Sequence, residues 1–285
     1  MDRLKRIKAV RLVLEVNTRY GRDGGGYLAA SLTYYGFLSV FPLLLLALSA
    51  VGFVLAGDVQ AQREWAGRLS GSIPGLGPLI GDNIQALIDR RTGAGVIGVL
   101  GLLWSGTGLT NAAGYSLSRV FGRPEVQGFV QRKMWSIAAT VGLGLLALVG
   151  VGISGTLAGL RAQGAVGLGL GGAAVLASLA LDVILFGVSY RVLTAGWGPP
   201  FRRLWPGAIV AGVGWTLLKT AGAWYGARTV ANASEIYGTF GSVVGILAIL
   251  YLAARLFLYG AELNAVLGDD PETRRTNRLL ERRAA

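Results

Sequence analysis

The stretch GTFGSVVGILAILYLAARLFLYGAELNAVL, residues 238–267, decides the fold because it is an almost continuous apolar run that carries two charged residues. A helix needs about 20 apolar residues to cross a hydrocarbon core about 30 Å thick, so this run is long enough to cross with tilt. Tyr251, Arg255, Tyr259 and Glu262 follow a spacing of four, four and three residues, which places them on one helical face. Because charged groups at membrane depth usually face protein or a water-filled cavity, the stretch predicts a membrane helix with one lipid side and one polar side.

The composition predicts an all-α, polytopic membrane protein with no large soluble domain. Of the 285 residues, 53% are hydrophobic and a further 45 are Gly, and the mean hydropathy is +0.54. Soluble domains are about 45–50% apolar even when Gly is counted. The absence of Cys and His from the sequence removes disulfides, thiolate chemistry, the commonest general base and the commonest metal ligand. We therefore expect no metal and no cofactor.

The chain divides into three predicted regions: a basic amphipathic segment at residues 1–26, a transmembrane domain at 27–267 and a basic cytoplasmic tail at 268–285. The first region carries seven Lys and Arg, with apolar and charged side chains on opposite sides of a helical wheel. This pattern predicts an N-terminal interfacial helix on an anionic membrane surface, and an ordinary solvated helix is the alternative. Six transmembrane helices are predicted at about residues 29–56, 94–117, 134–160, 169–194, 206–226 and 238–267.

The distribution of Lys and Arg predicts the orientation of these spans. If both termini lie in the cytoplasm and the chain crosses six times, nineteen of the 27 Lys and Arg fall in cytoplasmic segments and six in outer loops. This asymmetry follows the positive-inside rule. It also explains the net charge of +12 without nucleic acid, so we expect no nucleic-acid partner.

Four charged residues lie inside the predicted spans: Asp182, Lys219, Arg255 and Glu262. A rise of about 1.5 Å per residue gives the depth of each residue in the bilayer. By depth, Arg255 is the first-ranked partner of Asp182, and Lys219 is the second. Either pair could be a structural clamp or part of a polar pathway. Glu262, close to the inner surface, could instead snorkel to the interface. A polar cavity or pathway is predicted to be lined by Ser31, Tyr35, Asp182, Lys219, Arg255, Tyr259 and Glu262.

Proline and glycine carry two further predictions. Pro42 lies near the middle of the first span, where it should kink the helix and free a carbonyl, either for a ligand or simply for packing. Gly155/Gly159 and Gly222/Gly226 are examples of GxxxG pairs, which allow helices to approach closely. We expect most such pairs to serve packing within the chain, with contacts in a homo-oligomer as the less common outcome.

Three stretches resemble the YihY/BrkB family of bacterial inner-membrane proteins: AASLTYYGFLSVFPLLLL (29–46), WSGTGLTNAAGYSLSRVFG (104–122) and IYGTFGSVVGILAILYLAARLFLYGAELNAVL (236–267). The resemblance covers most of the chain and implies a six-span protein of the bacterial cytoplasmic membrane, linked to the envelope. Some members carry a ribonuclease BN label, but this chain lacks the clustered carboxylates and the His that such hydrolysis uses. The matched motif residues, which bring no catalytic role with them, are Ser31, Tyr34, Ser39, Pro42, Tyr237, Gly238, Gly260, Glu262 and Asn264.

These observations favour a transport-type protein over two alternatives. Its polar cavity would handle an anionic lipid or another anionic amphiphile drawn to the basic cytoplasmic rim, so anionic membrane lipids are the expected partners. With no P-loop in the sequence, movement would be passive or coupled to an ion gradient. The first alternative is a non-catalytic scaffold for envelope assembly, in which the buried charges only stabilise the fold. The second, ranked lower because we expect no enzymatic activity, is a membrane-bound ribonuclease.

Overall fold

The computed structural model describes residues 8–54, 60, 64, 91–122, 133–147, 168–194, 197–229 and 235–269. These ranges contain seven helices and no strand, which confirms the all-α prediction for the described chain. The helices are α1 Lys8–Arg22, α2 Gly25–Val54, α3 Arg91–Val120, α4 Lys133–Ala147, α5 Leu168–Leu193, α6 Phe201–Thr229 and α7 Glu235–Gly268.

Four of these helices are long and apolar enough to cross a membrane. The stretches that qualify are Gly25–Leu46, Thr92–Val120, Val175–Leu193 and Val243–Gly268, in α2, α3, α5 and α7. They coincide with the first, second, fourth and sixth predicted spans. The fifth predicted span falls in α6, which has 29 residues but is not among the four. The end of the third predicted span, most of the long loop at 57–93 and nearly all of the tail lie outside the described residues.

Helix α7 is the centre of the described structure, since it packs against α1, α2, α3 and α6. Its small side chains make this possible, because they let neighbouring helices approach where lipid supplies no hydrophobic driving force. Ala254 and Leu258 belong to a buried cluster with α1, α2 and α3. Ala261 and Ala265 belong to a second buried cluster with α3, α5 and α6.

The second cluster shows which helix ends lie together. Leu117 near the end of α3, Tyr190 near the end of α5 and Leu204 near the start of α6 all pack with Ala265 near the end of α7. We call this region, where α3, α5 and α7 end and α6 begins, the clustered end of the bundle. It is the end that the Lys and Arg count predicts to be cytoplasmic.

Pro42 lies in the contact between α2 and α3. Helix α2 continues past Pro42, and a methyl group added to Gly101 would lie 2.9 Å from the proline ring. One turn away, a methyl group on Gly98 would lie 3.0 Å from the backbone nitrogen of Leu46. Pro42 therefore takes part in close helix packing, and the predicted kink with a ligand at the freed carbonyl stays a prediction.

A very close backbone approach joins α6 and α7. A methyl group on Gly207 would lie only 1.9 Å from the carbonyl oxygen of Gly260, so both positions need Gly. Asn264 links the two helices at this contact, because its Oδ1 accepts a hydrogen bond from the Gly207 N–H at 2.7 Å. The Nδ2 of Asn264 donates to the Leu204 carbonyl at 3.0 Å. We call this contact the Gly207–Gly260 crossing.

Gly207→Ala should separate α6 from α7, whereas Gly245→Ala on α7 is a matched control with open space at its Cβ. We expect Gly207→Ala to lower the free energy of unfolding by about 3 kcal/mol or more, because backbone rather than a side chain would have to move. Gly245→Ala should be neutral or stabilising by up to about 1 kcal/mol through helix propensity. Chemical denaturation in detergent micelles measures both. Equal stability of the two variants would contradict this packing.

Candidate functional site: two groups of charged side chains

The four charged residues of the predicted spans fall into two groups. Asp182 of α5 and Lys219 of α6 form one group between those two helices. Arg255 and Glu262 of α7 both contact residues of α1. Of the three other predicted residues, Tyr259 lies beside Arg255 on α7. The other two lie on α2, where Ser31 is exposed and the Tyr35 ring packs against Gly108 of α3. The described residues therefore do not bring the seven predicted side chains around one space.

We call the first group, Asp182, Thr216 and Lys219, the α5–α6 pair. The Nζ of Lys219 lies 2.7 Å from Oδ2 of Asp182, and the Thr216 hydroxyl donates to the same oxygen at 2.9 Å. Close approach of the helices makes this possible, since a methyl group on Gly212 would lie 2.9 Å from the backbone nitrogen of Val183. The pairing of Asp182 with Arg255, ranked first from the sequence, is wrong, and the pairing ranked second is the one that forms.

Arg255 lies among three tyrosine rings that we call the tyrosine cluster. Its guanidinium carbon is 5.6, 5.9 and 5.5 Å from the ring centroids of Tyr20, Tyr251 and Tyr259, within the range of cation–π attraction. Its Nη2 donates to the Tyr259 hydroxyl at 3.2 Å, and that hydroxyl donates to Asn17 at 2.9 Å. The Tyr20 and Tyr259 rings stack with centroids 4.3 Å apart. The cluster thus fastens α1 to the polar face of α7.

Glu262 pairs with Arg19 in a second contact between α1 and α7, which we call the Arg19 cluster. Glu262 is 1% exposed, so it does not snorkel to the interface, and its Oε2 lies 3.5 Å from Nε of Arg19. The same guanidinium pairs with Asp269 and donates to the Val120 carbonyl at 3.3 Å. Arg19 therefore joins α1 to the C-terminal ends of α3 and α7, where unpaired carbonyls favour a cation.

Sequence reasoning missed the role of α1. It placed Arg19 on the charged side of a surface helix, but the structure buries Arg19 together with Val16 and Tyr20. Positions 16, 19 and 20 share a helical face, so the two apolar neighbours were the available signal. Asn264 was identified only as a motif residue of the resemblance, and its bonds to Gly207 and Leu204 require coordinates to see.

Two properties bear on the chemistry that these groups permit. Burial raises the pKa of Tyr20 above its usual value, which keeps the phenol protonated and able to donate a hydrogen bond. The Tyr20 hydroxyl is nevertheless buried without a hydrogen-bond partner in the described chain. Across the described ranges, no group of three or more His, Cys, Asp or Glu is placed to hold a metal ion.

The fold and these charge groups define an all-α integral membrane protein with paired charges between its helices. The chain belongs to the BrkB family, since the family model described as "Virulence factor BrkB" matches residues 16–284, and the resemblance noted from the sequence is thereby confirmed. No solved structure matches the chain.

Three relatives show how far the similarity extends. An uncharacterized protein of Dickeya dadantii is 27% identical over 96% of this chain and 87% of its own length. The protein YfkH of Bacillus subtilis, named ribonuclease-like, is 28% identical over 89% of this chain and 94% of its own. The inner membrane protein YhjD of Escherichia coli is 24% identical over 95% of this chain and 85% of its own. The similarity therefore spans nearly the full length of the chain.

The Arg19 cluster gives a stability prediction. Arg19→Met should lower the free energy of unfolding by about 3–5 kcal/mol, because it leaves the Glu262 carboxylate buried without its cation. Glu262→Gln should cost less, since Arg19 keeps Asp269 and the Val120 carbonyl. The double variant should cost less than the sum of the two single variants.

The control for this double-mutant cycle is Arg22→Met, which removes a pair with Asp23 from an arginine whose side chain is 42% exposed, and it should cost less than about 1 kcal/mol. Chemical denaturation of the purified chain in micelles measures all four variants. Additive effects of Arg19→Met and Glu262→Gln would show that the two side chains do not stabilise each other.

Proposed function

We propose that this protein is a transport-type protein of the bacterial inner membrane that moves an anionic lipid or other anionic amphiphile. In this proposal the chain crosses six times, both termini lie in the cytoplasm, and α1 lies along the membrane surface. It acts without catalysis and without a nucleic-acid partner. Its route passes the charged groups between the helices.

The packing of α6 supports the six-span layout, because α6 lies against α5 and α7, both of which are candidate spans. The placement of arginines supports the orientation. Arg119, Arg191, Arg202 and Arg203 all lie at the clustered end, where the positive-inside rule places the cytoplasm.

The exposed apolar residues of α1 support an interfacial position. Val13 and Leu14 are 66% and 46% exposed, whereas Val16 and Tyr20 are buried on the side that packs against the bundle. Arg11, also exposed, lies within a turn of Val13. Exposed apolar side chains beside basic ones are typical of helices that bind an anionic lipid surface.

The observation that carries the transport proposal is the exposure of Lys219 in the α5–α6 pair. The pair lies within the candidate span of α5, yet 36% of the Lys219 side chain remains exposed, against 11% for Asp182. A charge at that depth is usually paired and enclosed. An ammonium that is neutralised by a single carboxylate and still accessible can exchange that carboxylate for an anionic group.

A non-transporting scaffold is the second candidate, favoured by the Arg19 cluster. Glu262 and Arg19 are both buried and join α1 to α3 and α7, which is the arrangement of a structural clamp. In this second reading, the charges of both groups only hold the helices in place.

A hydrolytic function ranks below both, although the relative YfkH is named ribonuclease-like. The chain contains no His, and the two acidic residues of its described spans are already engaged. Asp182 is paired with Lys219, and Glu262 with Arg19. A two-metal nuclease needs carboxylates that are grouped and free to hold ions.

Flux of a fluorescent phosphatidylglycerol across proteoliposomes that contain the full chain tests the transport proposal. Asp182→Asn and Lys219→Gln should each lower the flux about tenfold, the effect of losing one charge-assisted hydrogen bond. Leu217→Ala, which truncates a neighbouring side chain of α6 that is 65% exposed, is the matched control and should leave the flux unchanged. No flux by the native protein, with variants that differ only in stability, would favour the scaffold.

The absence of Cys from the sequence allows the topology to be tested with single introduced cysteines. Asp2→Cys and Ala285→Cys should react with a membrane-impermeant maleimide only after the cells are opened. Gly71→Cys, in the predicted outer loop, should react in intact spheroplasts and serves as the control. Labelling of only one terminus in intact cells would contradict an even number of crossings.

A further inference from the structure

The tyrosine cluster contains hydrogen-bond donors that the described chain does not use. Tyr20 is 8% exposed, and its hydroxyl is buried with no hydrogen-bond partner. Leaving a buried polar group unpaired costs about 1–3 kcal/mol, so such a group calls for an explanation. Within the described residues, the Arg255 guanidinium donates one hydrogen bond, to Tyr259, out of the five N–H groups it carries.

The same two side chains lie beside the first turn of α2. Gly24, with φ of 73°, ends the turn from α1, and Gly25 begins α2. A methyl group on Gly25 would lie 2.4 Å from the Tyr20 ring and 2.6 Å from the carbon that bears its hydroxyl. The Tyr251 hydroxyl would lie 3.8 Å from a methyl group on Gly26. Glycines therefore let the phenol ends approach the start of α2. The N–H groups of Tyr27 and Leu28 donate to the Gly24 carbonyl, which leaves those of Gly25 and Gly26 without an acceptor in the described chain.

The Asp23 carboxylate, in the turn before α2, pairs with Arg22. The other groups that meet here are donors or positive. They are the guanidinium of Arg255, the hydroxyls of Tyr20 and Tyr251, and the N–H groups at the start of α2, which is also the positive end of a helix dipole. Arg255 forms no ion pair within the described residues, so no described carboxylate compensates its charge. A helix N-terminus combined with an arginine is suited to an oxyanion that has several acceptor oxygens.

The site opens to the outside of the described structure, beside the start of a candidate span. Gly26 and Tyr27 are exposed, with Tyr27 at 87%, and the candidate span of α2 starts at Gly25. Exposed tyrosines at the start of a span are typical of the membrane–water interface. An anion at this position could therefore belong to a lipid and need not enter the core of the bundle.

We propose that Arg255, the Tyr20 and Tyr251 hydroxyls and the first turn of α2 bind a phosphate group. This inference rests on the proposed function and narrows its substrate class to phosphate-bearing amphiphiles. Inorganic phosphate offers the same chemistry, so the test includes it as a separate probe. In this proposal, the Tyr20 hydroxyl has no partner in the described chain because its partner is the bound phosphate, to which it donates a hydrogen bond.

The test is native mass spectrometry of the full chain in dodecyl maltoside, a detergent without phosphate, with added dioleoyl phosphatidic acid. The affinity for phosphatidic acid should fall about tenfold in Arg255→Gln and less in Arg255→Lys, because Lys keeps the charge but not the planar fork. Arg191→Gln removes an exposed arginine of α5 and should bind as the native chain does. Oleate, an anionic lipid without phosphate, should bind several-fold more weakly than phosphatidic acid.

Tyr20→Phe separates a ligand site from a structural role. It keeps the ring that stacks on Tyr259 and removes only the unpaired hydroxyl. The variant should therefore melt at a higher temperature than the native chain without lipid, yet bind phosphatidic acid more weakly. A structural role for the hydroxyl would instead lower the melting temperature, and that result would overturn the inference. If Arg255→Gln does not fold, the Tyr20→Phe variant still distinguishes a ligand site from a structural role.

The remaining outcomes are each informative. Displacement of phosphatidic acid by millimolar inorganic phosphate would support the phosphate site and make free phosphate its ligand, whereas retention in its presence would assign the site to lipid. Equal binding by all variants, or equal binding of oleate, would overturn the site and leave any flux through the α5–α6 pair unaffected. If phosphatidic acid binding depends on Arg255 but the protein shows no lipid flux, the phosphate-binding site stands and the transport proposal is wrong.

Discussion

The Gly207–Gly260 crossing is the contact on which the rest of the described structure depends. In a bilayer, lipid tails satisfy apolar side chains as well as another helix does, so helices associate through close packing and polar bonds. Gly207 and Gly260 remove the side chains that would keep the backbones apart, and Asn264 then bonds α6 at two backbone groups. Only because α6 and α7 meet here can Leu204 and Ala208 pack with Ala261 and Ala265, the cluster that joins four helices. The buried Tyr190 hydroxyl, which donates to the Phe257 carbonyl at 2.7 Å, adds α5 to the same contact.

The crossing also orients the charged face of α7. At 3.6 residues per turn, Glu262 and Asn264 point about 200° apart around the helix. Asn264 and Gly260 therefore face α6, while Glu262, Tyr259 and Arg255 face α1. The polar face that the sequence predicts for residues 251–262 is real, but it is covered by the N-terminal helix. One helix thus has a packing face and a charged face, and its contact with α6 sets the direction of both.

The sequence predicts the class of fold well because hydropathy and length are properties of single segments. The all-α membrane fold, four of the spans and the polar face of α7 all follow from that information. The partners of the charges do not follow, because depth along the bilayer leaves rotation about each helix axis open. Asp182 and Arg255 are indeed at similar heights, since Gly212 meets Val183 while Gly214 meets Leu256. They face different neighbours, however, and α6 supplies the cation for Asp182. The burial of Arg19 had only a weak signal in the sequence, its apolar neighbours Val16 and Tyr20. A charge in a basic amphipathic segment is usually solvated, and it is the packing of α1 on α7 that encloses this one.

The three buried or half-buried cations Arg19, Lys219 and Arg255 differ in how completely the protein compensates their charges, and this difference bears on their roles. Arg19 contacts two carboxylates and a backbone carbonyl and is nearly enclosed, so any exchange of partner would leave a buried charge without its partner. That is the behaviour of a group whose contribution is to hold helices together. Among the described residues, Lys219 has one carboxylate partner and a partly exposed side chain, and Arg255 contacts only a phenol and aromatic faces. An anionic ligand at Arg255 would displace no described carboxylate, whereas a ligand at Lys219 would take the place of Asp182, which would keep its contact with Thr216. Arg255 lies on α7, and α7 packs directly on α6, which carries Lys219. A ligand that changes the position of either helix would therefore change the surroundings of both cations.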